Sequence, residues 1–142
     1  MMECMQLTYF TDYGLRILMY LTVHQEKRST VRELSEYYGI SRNHLVKVVY
    51  RLSQLGLIES SKGKGGGIRL ASNAQNARLG DVVKQLETNM DLVECFNCKT
   101  NSCHIVKTCQ LKHYIHEAGE SFINTLNKYT LEDTVRNKLF LK

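Results

Sequence analysis

The segment CFNCKTNSCHIVKTC, residues 95–109, holds four of the chain's five cysteines in the spacing Cys-x2-Cys-x4-Cys-x5-Cys. It has almost no apolar periodicity that would bury these thiols in a core, so packing does not account for them. Three chemistries compete: a disulfide staple, a structural zinc and an iron–sulfur cluster. Structural zinc is often held by two Cys-x2-Cys knuckles, and here only Cys95 and Cys98 have that form. Iron in a cluster also takes thiolates, and three or four on a flexible loop converge on one centre. Spacing alone leaves zinc and the cluster open. A thioredoxin-like Cys-x-x-Cys enzyme is disfavoured because no βαβ pattern surrounds the pair. The fifth thiol, Cys4, lies in an N-terminal extension where disorder is the simpler expectation.

The elements that must position these thiols are bounded by composition. A chain of 142 residues with 43% hydrophobic content buries one ordinary core, or a small core plus an extended helix that needs a partner. The opening MMECMQLTYF lacks the pattern of a secretory signal, and no run approaches the length of a membrane span. The expectation is a cytoplasmic protein with no membrane partner, and in a reducing compartment clustered cysteines are more often metal ligands or redox switches than staples.

Charge is localised. Between Lys27 and Arg69 there are nine Lys and Arg against three Glu, a net of +6, while the rest of the chain carries ten basic and eleven acidic groups, a net of −1. Such a segment is either a solvated basic face or the footprint of nucleic acid, to which released counterions give sequence-independent affinity.

The order of elements in the same window favours nucleic acid. Thr30 and Glu33 have capping-box spacing, followed by Val31, Leu34 and Tyr38 on one apolar stripe; Gly39-Ile40 ends that helix. Ser41 is placed to cap a second helix with an inner face of Leu45, Val48, Val49, Leu52 and Leu55, stopped by Gly56. Arg42, Asn43, His44, Lys47 and Arg51 are left outside. This is the pattern of a helix-turn-helix whose second helix enters the major groove. LIESSKGKGGGIRL then alternates around a glycine-rich turn as a two-stranded wing, with Lys62, Lys64 and Arg69 placed to meet phosphates or the minor groove. A nucleotide-binding loop is excluded by context, since GxxxxGK[ST] is missing and the loop does not open a helix. The fold expected is mainly α with a small β wing, and no enzymatic activity is expected of it.

A short helix over Leu79–Leu86 precedes the cysteines. Beyond them Leu111, Ile115, Ala118, Phe122, Leu126 and Tyr129 recur at helical intervals. A domain this small can hardly cover that stripe, so a paired helix in a two-fold homodimer is expected, matching the palindromic sites of helix-turn-helix proteins. The organisation expected is a winged helix-turn-helix domain over 5–87, a cysteine loop over 88–110, and a dimerisation helix with a C-terminal helix over 111–142.

Four stretches, MQLTYFTDYGLRILMYL at 5–21, SRNHLVKVVYRL at 41–52, KGKGGGIRL at 62–70 and LVEC with the spaced cysteines at 92–109, resemble the Rrf-type winged-helix regulators that carry an iron–sulfur cluster. The resemblance keeps its order over nearly the whole chain. Within the family, LTYFTDYGLR and YTLEDTV at 129–135 are more similar to the nitric-oxide-sensing repressors than to the cluster-assembly regulators. The resemblance implies a dimeric repressor of an operator in double-stranded DNA, with nitric oxide as its signal and a cluster, 4Fe-4S in preference to 2Fe-2S, destroyed by that signal. It implies three cysteine ligands, of which Cys103 and Cys109 match the family's spacing. The first is Cys95, after Leu92-Val93-Glu94, with Cys98 as the alternative. It further implies Asp12 as the remaining ligand, contributed within one subunit or across the dimer, with His104 as a substitute. Read without the resemblance, Asp12 is an acid in the first turn of a helix, stabilised by the helix dipole. The alternatives are an iron- or cluster-status regulator of the same fold, or a zinc-binding or thiol redox protein without a cluster.

Overall fold

The computed structural model describes residues 5–137; Cys4 and the last five positions of the C-terminal segment lie outside them. Five helices and one hairpin follow in order: α1 (Tyr9–Val23), α2 (Val31–Tyr38), α3 (Arg42–Gln54), β1 (Ile58–Ser61), β2 (Gly67–Leu70), α4 (Leu79–Leu86) and α5 (Leu111–Leu126).

Local chemistry explains most boundaries. At α2 the capping box forms in both directions, with the Glu33 backbone N–H donating to Thr30 Oγ1 at 3.1 Å and the Thr30 N–H to Glu33 Oε2 at 2.8 Å. Gly39 ends α2 at φ 66°, a conformation glycine adopts without strain. Ser41 occupies the N-cap position of α3 but makes no side-chain cap bond, so the helix start rests on the turn geometry and not on the serine hydroxyl. The strands pair antiparallel with Ile58 opposite Leu70 and Ser61 opposite Gly67. Ser29, just before α2, adds one bridge to Ile68 through two backbone bonds of 2.8 and 2.7 Å, seating the hairpin against the helices.

The core gathers Ile17, Leu18 and Leu21 of α1, Leu34 of α2, Leu45, Val48 and Leu52 of α3, Ile58 and Ile68 of the hairpin, and Val82 and Leu86 of α4. Leu131, beyond α5, is fully buried in the same core. Tyr38, half-buried against this core, donates its hydroxyl to the Arg16 carbonyl at 2.8 Å; burial pushes the phenol well above its ordinary value, so it stays a donor.

The long apolar stripe behaves in two ways. Helix α5 ends at Leu126, so Tyr129 falls beyond it. Within α5 the buried residue is Ile123, which the stripe did not include; of the stripe Ile115 and Leu126 are half-buried, Leu111 and Ala118 face outward, and Phe122 is partly exposed at an apolar cleft beside Leu15 and Met19. No described helix is long and apolar enough to cross a membrane.

Candidate functional site

Two sites emerge, one of cations and one of thiols. Helix α3 turns Leu45, Val48, Val49 and Leu52 inward, which leaves Arg42, Asn43, His44, Lys47 and Arg51 exposed, as their spacing predicted. Their neighbours divide them. Arg51 Nη2 reaches the Gln85 carbonyl of α4 at 3.5 Å, so it lies toward the flank of the helix. On the wing, Lys62 and Lys64 stand exposed at the glycine turn, whereas Arg69 is engaged across the strands by Glu59, Nε to Oε2 at 2.7 Å.

That engagement is one of three. The window's three glutamates pair with Arg69, Arg32 (to Glu36, 2.9 Å) and Lys27 (to Glu33, 3.7 Å). Every acid in the basic window is therefore spent away from α3 and the wing tip. Among the described residues Arg42, Lys47, Lys62 and Lys64 carry no ion pair, which leaves the cations of α3 and the wing tip free to meet a polyanion.

The thiol loop runs between α4 and α5 with one short helical turn, Glu94–Phe96. All four of its cysteines are free; Cys95, Cys103 and Cys109 are half-buried and Cys98 is exposed. Glu94 Oε1 accepts from the Ser102 hydroxyl at 2.7 Å and from its backbone N–H at 2.8 Å, and these two bonds hold the carboxylate below its ordinary pKa. Because Glu94 precedes Cys95 and Ser102 precedes Cys103, this contact closes the segment between those two thiols and leaves Cys98 on the closed bight. The loop also lies on α5: the Phe96 ring meets His116 edge-on at 6.0 Å, Lys112 Nζ donates to the Val106 carbonyl at 2.6 Å, and Cys109 directly precedes the cap residue Gln110.

The donor set fits thiolate-ligated iron in type, being three half-buried thiols free of disulfides on one loop. It is not drawn together here: among the described residues no three His, Cys, Asp or Glu side chains form a group able to hold a metal ion. Asp12 sits in the first turn of α1, and both of its oxygens accept from Arg16, at 3.0 Å from Nε and 2.9 Å from Nη2. Neither Glu94 nor Arg16 was singled out by sequence reasoning. The Arg16 contact had a signal in the Asp-x3-Arg spacing; the Glu94 contact spans an irregular loop and had none.

A helix-turn-helix with a basic wing, whose unpaired cations line α3 and the wing tip, defines a DNA-binding protein of the winged-helix class. Comparison with known proteins narrows it: residues 7–137 match the family model described as Rrf2, iron-dependent transcriptional regulator, and the chain belongs to that family. It is 49% identical over 135 residues to the HTH-type transcriptional regulator NsrR of Halalkalibacterium halodurans, spanning 94% of this chain and 92% of that one. It is 44% identical over 135 residues to the NsrR of Bacillus subtilis, again spanning 94% of this chain and 92% of the relative. Among solved structures, IscR of T. potens aligns with a TM-score of 0.75 at 20% identity, covering 97% of this chain and 91% of that chain. CymR, the global cysteine regulator of B. subtilis, aligns with a TM-score of 0.67 at 24% identity, covering 92% and 96%. The chain is thus a transcriptional regulator of a DNA-binding family and not an enzyme, and the likeness extends through the thiol loop.

Proposed function

We propose that this regulator is a homodimeric, cytoplasmic repressor that senses nitric oxide through an iron–sulfur cluster held by Cys95, Cys103 and Cys109, with Asp12 as a fourth, oxygen ligand. A 4Fe-4S cluster is favoured over 2Fe-2S on the resemblance to the nitric-oxide-sensing members of the family, since three thiolates and one oxygen supply the four terminal ligands that either cluster takes. The observation that carries the reading is the seating of the thiol loop on α5, through Phe96 and Lys112, on a chain whose other end of α5 is bonded to the DNA-binding domain. Nitric oxide as the signal rests on the resemblance of LTYFTDYGLR and YTLEDTV to the nitric-oxide-sensing repressors of the family.

A bound cluster would supply iron that reacts with nitric oxide and thereby loses its bonds to the protein. What the chain must do follows from its own residues. The three thiols must ionise and close toward one another, which the Glu94–Ser102 contact begins by shortening the loop between Cys95 and Cys103. Cys98, on the closed segment, is the less suitable first ligand. Asp12 must exchange Arg16 for its new partner, a small loss because the pair is exposed. The ligated arrangement then differs from the free one in the placement of both α1 and the loop on α5, and only that differential energy biases the reading heads. Arg42, Asn43, His44, Lys47, Lys62 and Lys64 carry the DNA contact; Arg51 and Arg69, already engaged, contribute less.

The test is anaerobic. Protein prepared without oxygen should carry iron and acid-labile sulfide and bind operator DNA, and stoichiometric nitric oxide or Cys103→Ala should abolish binding. One zinc per chain with no sulfide would replace this reading with the zinc alternative.

A further inference from the structure

The outward line of α3 is not wholly polar. Asn43, Val46, Lys47, Tyr50 and Gln54 recur at intervals that place them on one face, opposite the buried Leu45, Val48, Val49 and Leu52. On that face Val46 is 53% and Tyr50 66% exposed, while Gln54 Nε2 donates to the Tyr50 hydroxyl at 3.2 Å and steadies the ring. Single exposed apolar side chains are ordinary. Here there are two, one helical turn apart: Val46, β-branched and poorly suited to an exposed helix, lies between the unpaired cations Arg42 and Lys47, Tyr50 follows one turn beyond, and neither belongs to the core.

A duplex offers one apolar group on the floor of its major groove, the C5-methyl of thymine. We infer that Val46 is a specificity-determining residue that packs on a thymine methyl, with the Tyr50 ring closing the contact from the adjacent turn. The occupant follows from the surroundings. A protein partner would also cover an apolar pair, but the flanking cations have no acid to pair with, and a polyanion satisfies both features at once. The inference deepens the assignment of α3 as the recognition helix and rests on it. It also explains why a reading restricted to basic and amide residues is incomplete: phosphate and amide contacts position α3, and the methyl contact adds a preference for A·T over G·C at one step.

The test uses the full chain, prepared anaerobically, and a duplex enriched by that protein from a random-sequence pool. Each thymine of the duplex is replaced in turn by deoxyuridine, which removes only the methyl. For the wild type, one thymine in each half-site should show a loss of about fourfold per methyl, from the hydrophobic worth of one buried carbon. Val46→Ala, which leaves an exposed helix position filled by the best helix former, should bind thymine and deoxyuridine equally at that step and keep the wild-type response elsewhere. No loss at any thymine, or a loss unchanged in Val46→Ala, overturns the assignment while leaving operator binding intact. A pool in which nothing is enriched overturns the recognition helix and Val46 together.

Discussion

On the proposed ligand set Asp12 would serve two arrangements, paired with Arg16 in the free chain and bound to the cluster in the loaded one. In the free chain Arg16 saturates both carboxylate oxygens, yet side chains more than 40% exposed on each side make this a weak tie, worth about 0–1 kcal/mol. Asp12→Ala is therefore expected to leave the thermal midpoint close to wild type while blunting the response of operator binding to nitric oxide; a large fall in the midpoint would assign Asp12 to the fold instead. Glu94 is the opposite case, a residue acting through its neighbours. Removing its carboxylate in Glu94→Ala should speed loss of iron to a chelator about tenfold, the usual cost of an outer partner, with Glu94→Gln largely restoring retention because its amide oxygen still accepts. Unchanged retention in Glu94→Ala, alongside iron loss in Cys103→Ala, would detach the contact from the ligands. At this scale the thiols and cations were legible from type and spacing. What those side chains already touch was not: Arg69 and Arg51 look as available as Lys62 in a string of letters, and only the strand register and the approach of Arg51 to α4 reveal Glu59 and the Gln85 carbonyl beside them.

Among the elements, α4 and α5 cross so closely that a Cβ on Gly80 would strike the Ile123 carbonyl and the Asn127 side chain. Around that crossing Asn127 Oδ1 accepts from the Asp81 N–H at 3.0 Å, Arg78 Nη1 donates to the Asn127 carbonyl at 2.9 Å, and backbone bonds run from Leu79 to Tyr129 and from Leu131 to Ala77. Gly80→Ala must push backbone, not a flexible side-chain end, and should cost about 1–3 kcal/mol of stability by denaturant unfolding. Thr130 and Asp133 cap the short turn after α5 reciprocally. The Thr130 N–H, then its hydroxyl and Arg136, depress the Asp133 carboxyl below its usual value. A depressed carboxyl stabilises the fold above its unfolded pKa and loses that contribution as pH falls through the folded value. The thermal midpoint should thus drop as pH falls below about 4, and Asp133→Asn should flatten that part of the profile. Elements with a local signature were the readable ones: the capping box of α2, the Gly39 stop and the Leu79–Leu86 helix match their sequence patterns. The α4–α5 lacing is long-range, with partners nearly fifty residues apart, and no local propensity encodes it.

For the whole molecule, the same lacing decides what an event at the thiol loop can move. One end of α5 carries the loop, through Phe96, Lys112 and Cys109, and the other end is bonded to α4 and the core beneath α1, so the helix bridges the thiol loop and the DNA-binding core. On its outer surface Leu111, Tyr114 and Ala118 are exposed at intervals of three and four residues, with Phe122 one turn further on at the rim of an apolar cleft. If this face pairs two copies, two recognition helices are held at a fixed separation and the loops of both subunits bear on one interface. Leu111→Glu with Ala118→Glu tests it without touching the core, since both side chains already point outward and glutamate is a good helix former. The double variant should sediment as a monomer with an unchanged circular dichroism spectrum. Its operator affinity should fall by more than the loss of any single base contact, because each half-site must then be bound independently. A wild type that is already monomeric at the concentrations where it binds DNA, or a double variant that remains dimeric, would remove α5 as the pairing helix and leave the thiol loop without a route to the second reading head.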